Sequence, residues 1–233
     1  MKNYNLGFLK ESAQKSKKQM KTYHFFGSIP VYIKDDLMFY DGESNIQQVI
    51  DLVDKHVPHN LSRYVDVIYV GDFTSFTERS TNAAYKDGAI YVINVQDNAE
   101  DMADDIVHEL AHSLEIPYRD LIYGDGKLEQ EFVGKRQRLF DLLRAHDQET
   151  MSPHFFLNPD YDEKFDEYLY STIGYKTISS IASGLFYSPY SITSLHEYFA
   201  KGFEAFFLYK DIKTLAKLCP VLYNKVEQLA EME

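Results

Sequence analysis

Residues 108–112 read His-Glu-Leu-Ala-His, and no other segment constrains the fold of this chain as tightly. The two histidines stand four residues apart. Their imidazoles converge when the backbone between them is helical, because positions i and i+4 share one helical face. The neighbours permit a helix: Asp105-Ile106-Val107 leads in and Ser113-Leu114-Glu115 leads out, with no Gly or Pro. Two imidazoles on one face can grip one metal ion, and Glu109 between them can act as general base on a bound water. The pattern therefore predicts a helix, a metal and a reaction, the zinc-assisted hydrolysis of an amide. Two surface histidines on an acidic helix are the alternative, and the downstream sequence weighs against it.

Patterning places the elements around this helix. Residues 29–40 can hold a strand. Ser44-Asn45 can cap a helix over Ile46, Val49, Ile50, Val53 and Val57, ended by Pro58. Val65–Val70 is β-rich and stops at Gly71-Asp72, residues 73–87 read as a polar loop, and Gly88–Ile93 reads as a second strand. Asp97 or Asn98 opens the acidic helix that runs to about Glu115, where Pro117 limits it. A helix over about Leu128–Ala145 follows. Residues 151–190 are rich in Pro, Tyr and Ser, with one helix expected near Glu163–Ser171. Helices over Ser194–Tyr209, Ile212–Leu218 and Val221–Ala230 complete the chain.

This order implies an α+β protein: a small mixed sheet, an HExxH helix, then a helical C-terminal subdomain. A strand ahead of the metal helix suits a zincin-like metallopeptidase, in which a cleft-side strand pairs with the substrate backbone. Ile90–Ile93 is the candidate. Residues 1–40 are expected to be an N-terminal extension or the first elements, and 41–233 a single catalytic domain.

A catalytic zinc usually takes three protein ligands and leaves one position for water. Downstream candidates are Glu115, Glu129, Glu131, His146, His154, His196, Glu197 and Glu204. Glu115, one turn beyond His112, is better placed behind a ligand than on the metal. His146 and His154 stand alone in poorly patterned sequence. Glu197 opens Glu197-Tyr198-Phe199-Ala200-Lys201-Gly202-Phe203, an aromatic stretch whose helix must be buried, and a carboxylate there needs a partner. A metal is a natural one. Ala200 and Gly202 would allow close approach to the metal helix. The competing reading is an exposed Glu near a helix N-terminus, where the dipole favours it.

The pairing of His-Glu-x-x-His with a later Glu-[Phe/Tyr]-Phe-Ala-x-x-Phe resembles the catalytic domain of anthrax lethal factor and its relatives, which include the clostridial Pro-Pro endopeptidases. The resemblance extends over about residues 60–230 and includes Val67–Phe73 and Asp87–Val92. It implies His108, His112 and Glu197 as ligands of one Zn2+. It implies that Tyr190, seven residues before Glu197, stabilises the oxyanion while Glu109 serves as general base for a zinc-activated water. Two departures stand out. Lys201 occupies the position of the family's second Glu, with Glu204 one turn on. Tyr190 lies 78 residues beyond His112, so an insertion is expected at about 145–185.

Composition bounds the partners. A net charge of −12 and a pI near 5.1 argue against nucleic acid and anionic membrane and suit a peptide or protein substrate, with a slight tilt towards basic residues. Cys219 is the single cysteine, so no intramolecular disulfide forms; it is expected in the core. Met1–Phe26 lacks the apolar segment of a signal peptide, and Lys10–Lys21 reads as a solvated helix or arm. A cytoplasmic location is expected, with a secreted or effector role if an export segment has been trimmed. A zinc metalloendopeptidase is thus the leading expectation. The alternatives are a non-catalytic zinc-binding interaction module and a cytosolic regulatory protease of the phage-repressor-cleaving type.

Overall fold

The computed structural model describes residues 23–73 and 81–232; Lys10–Lys21 lies outside the described residues. The protein is mixed α+β, about 55% helical, with a small mixed sheet. It divides into two compact units whose boundary falls between Leu114 and Glu115, a boundary that no linker composition marks.

The first unit holds β1 (Tyr23–Phe25), β2 (Ile29–Ile33), β3 (Met38–Phe39), helix α1 (Ile46–His56), β4 (Val67–Val70), β5 (Ala83–Lys86), β6 (Ala89–Val92), β7 (Val95–Gln96) and helix α2 (Ala99–Glu115). Five strands form one sheet in the order β1-β2-β4-β6-β5, and β3 pairs with β7 in a second. The β2-β4 and β4-β6 pairs are parallel, while the outer pairs are antiparallel. The strands at residues 23–39 are thus integral to the sheets.

Strand alternation sorts the side chains. Val31, Ile68 and Ile90 sit side by side and buried, as do Val70 and Val92 one step along. On the opposite face Tyr32, Tyr69 and Tyr91 are in register, their rings stacked at 5.7 and 5.4 Å between centroids.

Ala83–Lys86 corrects the expectation of a loop over 73–87. The strand is short and ends on Asp87-Gly88, whose φ values of 49° and 82° make the two-residue turn that matches strand twist. Gly88 is required twice over, since a Cβ there would lie 2.6 Å from Asp66 Oδ2. The same strand removes Ile90–Ile93 as the substrate-pairing edge, because β6 lies between β4 and β5. The free edge on that side belongs to β5.

Helix α1 begins as expected. Asn45 Oδ1 accepts from the N–H of Gln47 and Gln48, and Gln48 Oε1 accepts from the Asn45 N–H, a reciprocal capping box. Helix α2 is opened by Asn98, whose Oδ1 accepts from the Asp101 N–H at 2.9 Å. Its apolar stripe of Met102, Ala103, Ile106, Val107, Leu110, Ala111 and Leu114 is buried. Each of the larger aliphatic chains contributes about 1.5–3 kcal/mol by burial. Together they outweigh the cost of holding the Glu109 carboxylate at only 7% exposure.

The second unit is helical: α3 (Arg119–Ile122), α4 (Lys127–Ala145), α5 (Pro153–Leu157), α6 (Glu163–Glu167), a π-helical turn at Tyr168–Ile173, α7 (Tyr175–Ile181), a 3-10 turn at Tyr190–Ile192, α8 (Leu195–Phe207), α9 (Ile212–Leu218) and α10 (Pro220–Ala230). Residues 151–190 are therefore far more helical than composition implied. Buried aromatics explain why: Phe156, Phe165 and Tyr168 pack as a cluster. Arg136 from α4 reaches into it, lying 4.2 Å from the Phe165 centroid and donating to the carbonyls of Phe155 and Asn158. Glu131 is spent on structure, accepting from Tyr198 Oη and from the N–H groups of Val221 and Leu222 at the start of α10. Cys219 is fully buried, as expected.

Gly202 corrects another expectation. A Cβ there would lie 2.5 Å from Leu222 Cγ and Cδ2. The small residue thus admits α10, whose Leu222 fills the space above it.

Candidate metal centre

Within α2 the two imidazoles face each other, with His108 Nε2 and His112 Nε2 3.1 Å apart and ring planes at 77°. Two nitrogens bound at about 2.0–2.1 Å to one tetrahedral metal stand roughly 3.3 Å apart. The pair therefore already has the bite of a shared ion. A carboxylate oxygen of Glu109 completes the group, the three ligand atoms lying within 4.8 Å of one another. Two imidazoles on one helical face form a donor pair that suits zinc, and the Glu109 carboxylate stands beside them where a metal-bound water would lie.

Glu109 is held from the sheet. Its Oε2 accepts the backbone N–H of Tyr85 at 2.5 Å. The register of the β5–β6 hairpin explains why this N–H is available. Ile93 N–H bonds to Asn82 O, so Asn82, Ala84 and Lys86 face β6 and the polar groups of Ala83 and Tyr85 point outward. Tyr85 is anchored in turn by its hydroxyl, which donates to Tyr64 O at 3.0 Å.

The remaining sequence candidates lie in the second unit. Glu197 sits in the first turn of α8, whose N-cap Ser194 accepts the Glu197 N–H at 3.1 Å. Tyr190 lies on the preceding 3-10 turn and is 37% exposed. Surrounding protein, then the carboxylates of Glu197 and Asp166, push the Tyr190 pKa well above the ordinary tyrosine value, so its hydroxyl stays a proton donor.

Glu115 and His196 form a pair. His196 Nδ1 donates to Glu115 Oε2, and Tyr123 Oη donates to the same oxygen at 2.8 Å. The carboxylate can only accept, so His196 carries its proton on Nδ1. Burial, followed by the charges of Glu115 and Glu197, holds the Tyr123 phenol far above its ordinary pKa. His146, His154 and Glu129 are exposed. Glu204 is buried in an ion pair with Lys201 at 2.8 Å; the departure at Lys201 is thus matched by a carboxylate one turn later.

Sequence reasoning missed Asp166, Tyr161 and Tyr175. Tyr161 Oη donates to Asp166 Oδ2 at 3.1 Å, and Tyr175 Oη to Oδ1 at 3.5 Å. All three fall in the segment read as an insertion, where an Asp among many tyrosines carries no periodic signal. Among the described residues, no helix is long and apolar enough to cross a membrane. Compared with known proteins, the chain matches no family model, no curated protein and no solved structure.

Proposed function

We propose that this protein is a zinc-dependent endopeptidase of zincin type, similar to the lethal factor-like peptidases. The observation that carries the reading is the 3.1 Å approach of His108 Nε2 and His112 Nε2 with the Glu109 carboxylate beside them. A helix that merely presented two histidines to solvent has no need of a buried glutamate fixed by a strand amide. In this reading His108 and His112 hold the metal, and Glu197 is the third ligand on the strength of its motif. The ion supplies Lewis acidity to the scissile carbonyl and to water.

The residues then divide the work. Glu109 accepts the proton of the attacking water and returns it to the leaving amine. Tyr190, kept protonated by its surroundings, donates to the carbonyl oxygen as negative charge develops there. The outward backbone groups of Ala83 and the carbonyl of Tyr85 on the edge of β5 are suited to lie against an extended peptide, the Tyr85 N–H being taken by Glu109. The acidic composition tilts the reading slightly towards substrates with basic residues, and a peptide or protein substrate is the one the chemistry requires.

The test is cleavage of a diverse peptide library by wild type and Glu109→Ala in parallel, with zinc quantified on both. Zinc in both, with cuts by wild type alone, is the expected result. Absence of zinc from wild type refolded with the metal would sink the reading; zinc in both with no cuts would favour a binding module.

A further inference from the structure

Ala83 and Tyr85 turn their backbone groups away from β6, to the outer edge of the sheet. A residue on such an edge meets an added antiparallel strand with its N–H and C=O together, both directed at one residue of the newcomer. At Tyr85 these two groups stand differently. Its C=O points outward, while its N–H is donated to Glu109 Oε2 at 2.5 Å. The hairpin holds that N–H in place. Ile93 N–H donates to Asn82 O at 2.9 Å at one end, the Asp87-Gly88 turn closes the other, and Tyr85 Oη donates to Tyr64 O at 3.0 Å.

An amide N–H carries one hydrogen. A peptide carbonyl arriving opposite Tyr85 therefore meets a donor already taken, by an oxygen that repels its own. Either the carbonyl is buried without a donor, which costs more than an ordinary hydrogen bond contributes, or the carboxylate leaves. The strand amide is fixed, whereas Glu109 sits on a side chain with three rotatable bonds. The same contact ties the edge to the histidine pair, because the ligand atoms of His108, Glu109 and His112 lie within 4.8 Å of one another.

We propose that the Tyr85 N–H is a binding site for a backbone carbonyl of an extended peptide, covered by Glu109 in the free protein and uncovered as the peptide adds to β5. The exchange releases the Glu109 carboxylate when the peptide seats, so the base is freed with substrate in place. The inference rests on the peptidase reading above and deepens it: recognition at this edge is by main chain, and the occupant is an extended peptide. Main-chain bonds of this kind supply affinity across many side-chain sequences.

The test compares Glu109→Met with Glu109→Gln in the full chain equilibrated with zinc. The two side chains are close in size, neither can serve as base, and only the amide offers an oxygen to the Tyr85 N–H. Binding is read by anisotropy against a positional-scanning library of N-acetylated, fluorescein-labelled hexapeptides. Glu109→Met is expected to bind the retained pools more tightly than Glu109→Gln by roughly 3- to 10-fold, the worth of one net hydrogen bond. Equal affinities overturn the proposal, as does tighter binding by Glu109→Gln. Failure of every pool to bind either variant also overturns it, since no strand then adds to β5. Wild-type cleavage of the same library separates this inference from the peptidase reading. Cuts by wild type with equal affinities of the two variants leave the peptidase and sink the exchange. Tighter binding by Glu109→Met with no cuts by wild type leaves the exchange and sinks the peptidase. Should Glu109→Met not fold, Glu109→Gln decides by NMR. A coupling across the hydrogen bond, from the Tyr85 amide nitrogen to the substituted side-chain carbonyl, is expected in the free protein and should vanish at peptide saturation. A coupling that persists overturns the proposal.

Discussion

The Glu109 carboxylate accepts the backbone N–H of Tyr85 at 2.5 Å. A helix side chain is thereby fixed by a strand amide whose direction is set by the hairpin register. The bond orients the carboxylate without using a side chain that would compete for a metal. It also ties the sheet edge to the residue proposed to move the proton.

This pairing separates two substitutions. Glu109→Gln keeps an oxygen for the Tyr85 N–H, whereas Glu109→Ala strands that donor. Thermal unfolding should show Glu109→Ala less stable than Glu109→Gln by about 1–3 kcal/mol. Both should retain stoichiometric zinc by elemental analysis and show no turnover. Equal stability of the two would mean that the bond contributes nothing net.

His112→Ala removes one side of the 3.1 Å pair. One imidazole does not make a site, so tight zinc binding should vanish in a chelator competition assay. Glu197→Ala tests the third ligand by the same assay. Retention of stoichiometric, tightly held zinc there would assign that place to another residue.

Tyr190→Phe keeps the ring and removes the donor. Zinc content and melting temperature should be unchanged, and kcat should fall on the order of a hundredfold. The protecting environment also sets a pH expectation: the hydroxyl stays protonated through neutral and mildly alkaline pH, so no loss of activity near the ordinary tyrosine pKa should trace to Tyr190.

Alkaline pH should instead act on stability. The Tyr161 and Tyr168 phenols are pushed up to about 12 by burial, against about 10 in an unfolded chain. Between those values the unfolded chain releases protons that the folded chain keeps, so stability is full below about pH 10 and declines as pH rises towards 12. Tyrosinate absorbance and far-ultraviolet ellipticity should therefore change together above pH 10. Ionisation that precedes any loss of ellipticity would show that these phenols are not protected by the fold.

Gly202→Ala places a methyl group about 2.5 Å from Leu222. Neither helix can yield without disturbing the cap that Glu131 makes on α10. The expected cost is about 1–3 kcal/mol in chemical denaturation, and trimming Leu222 in the double variant should recover part of it.

The linear pattern by itself determined the helix that carries His108, Glu109 and His112, because four-residue spacing in an unbroken helical stretch leaves the imidazoles one face to share. It also determined the Asn45 cap and the strands at 67–70 and 89–92, whose signals lie within a few residues of one another. Tertiary structure alone decided that Ala83–Lys86 is a strand, since so short an edge strand gains its stability from its partner rather than from its own composition. It decided that Gly202 makes room for Leu222, and that Tyr85 fixes Glu109. Asp166 likewise acquired its phenols from a fold that brings residues 161, 166 and 175 together around a buried aromatic cluster. Periodicity records which face of an element is buried; which polar groups meet depends on how the buried faces pack, and that information is not local.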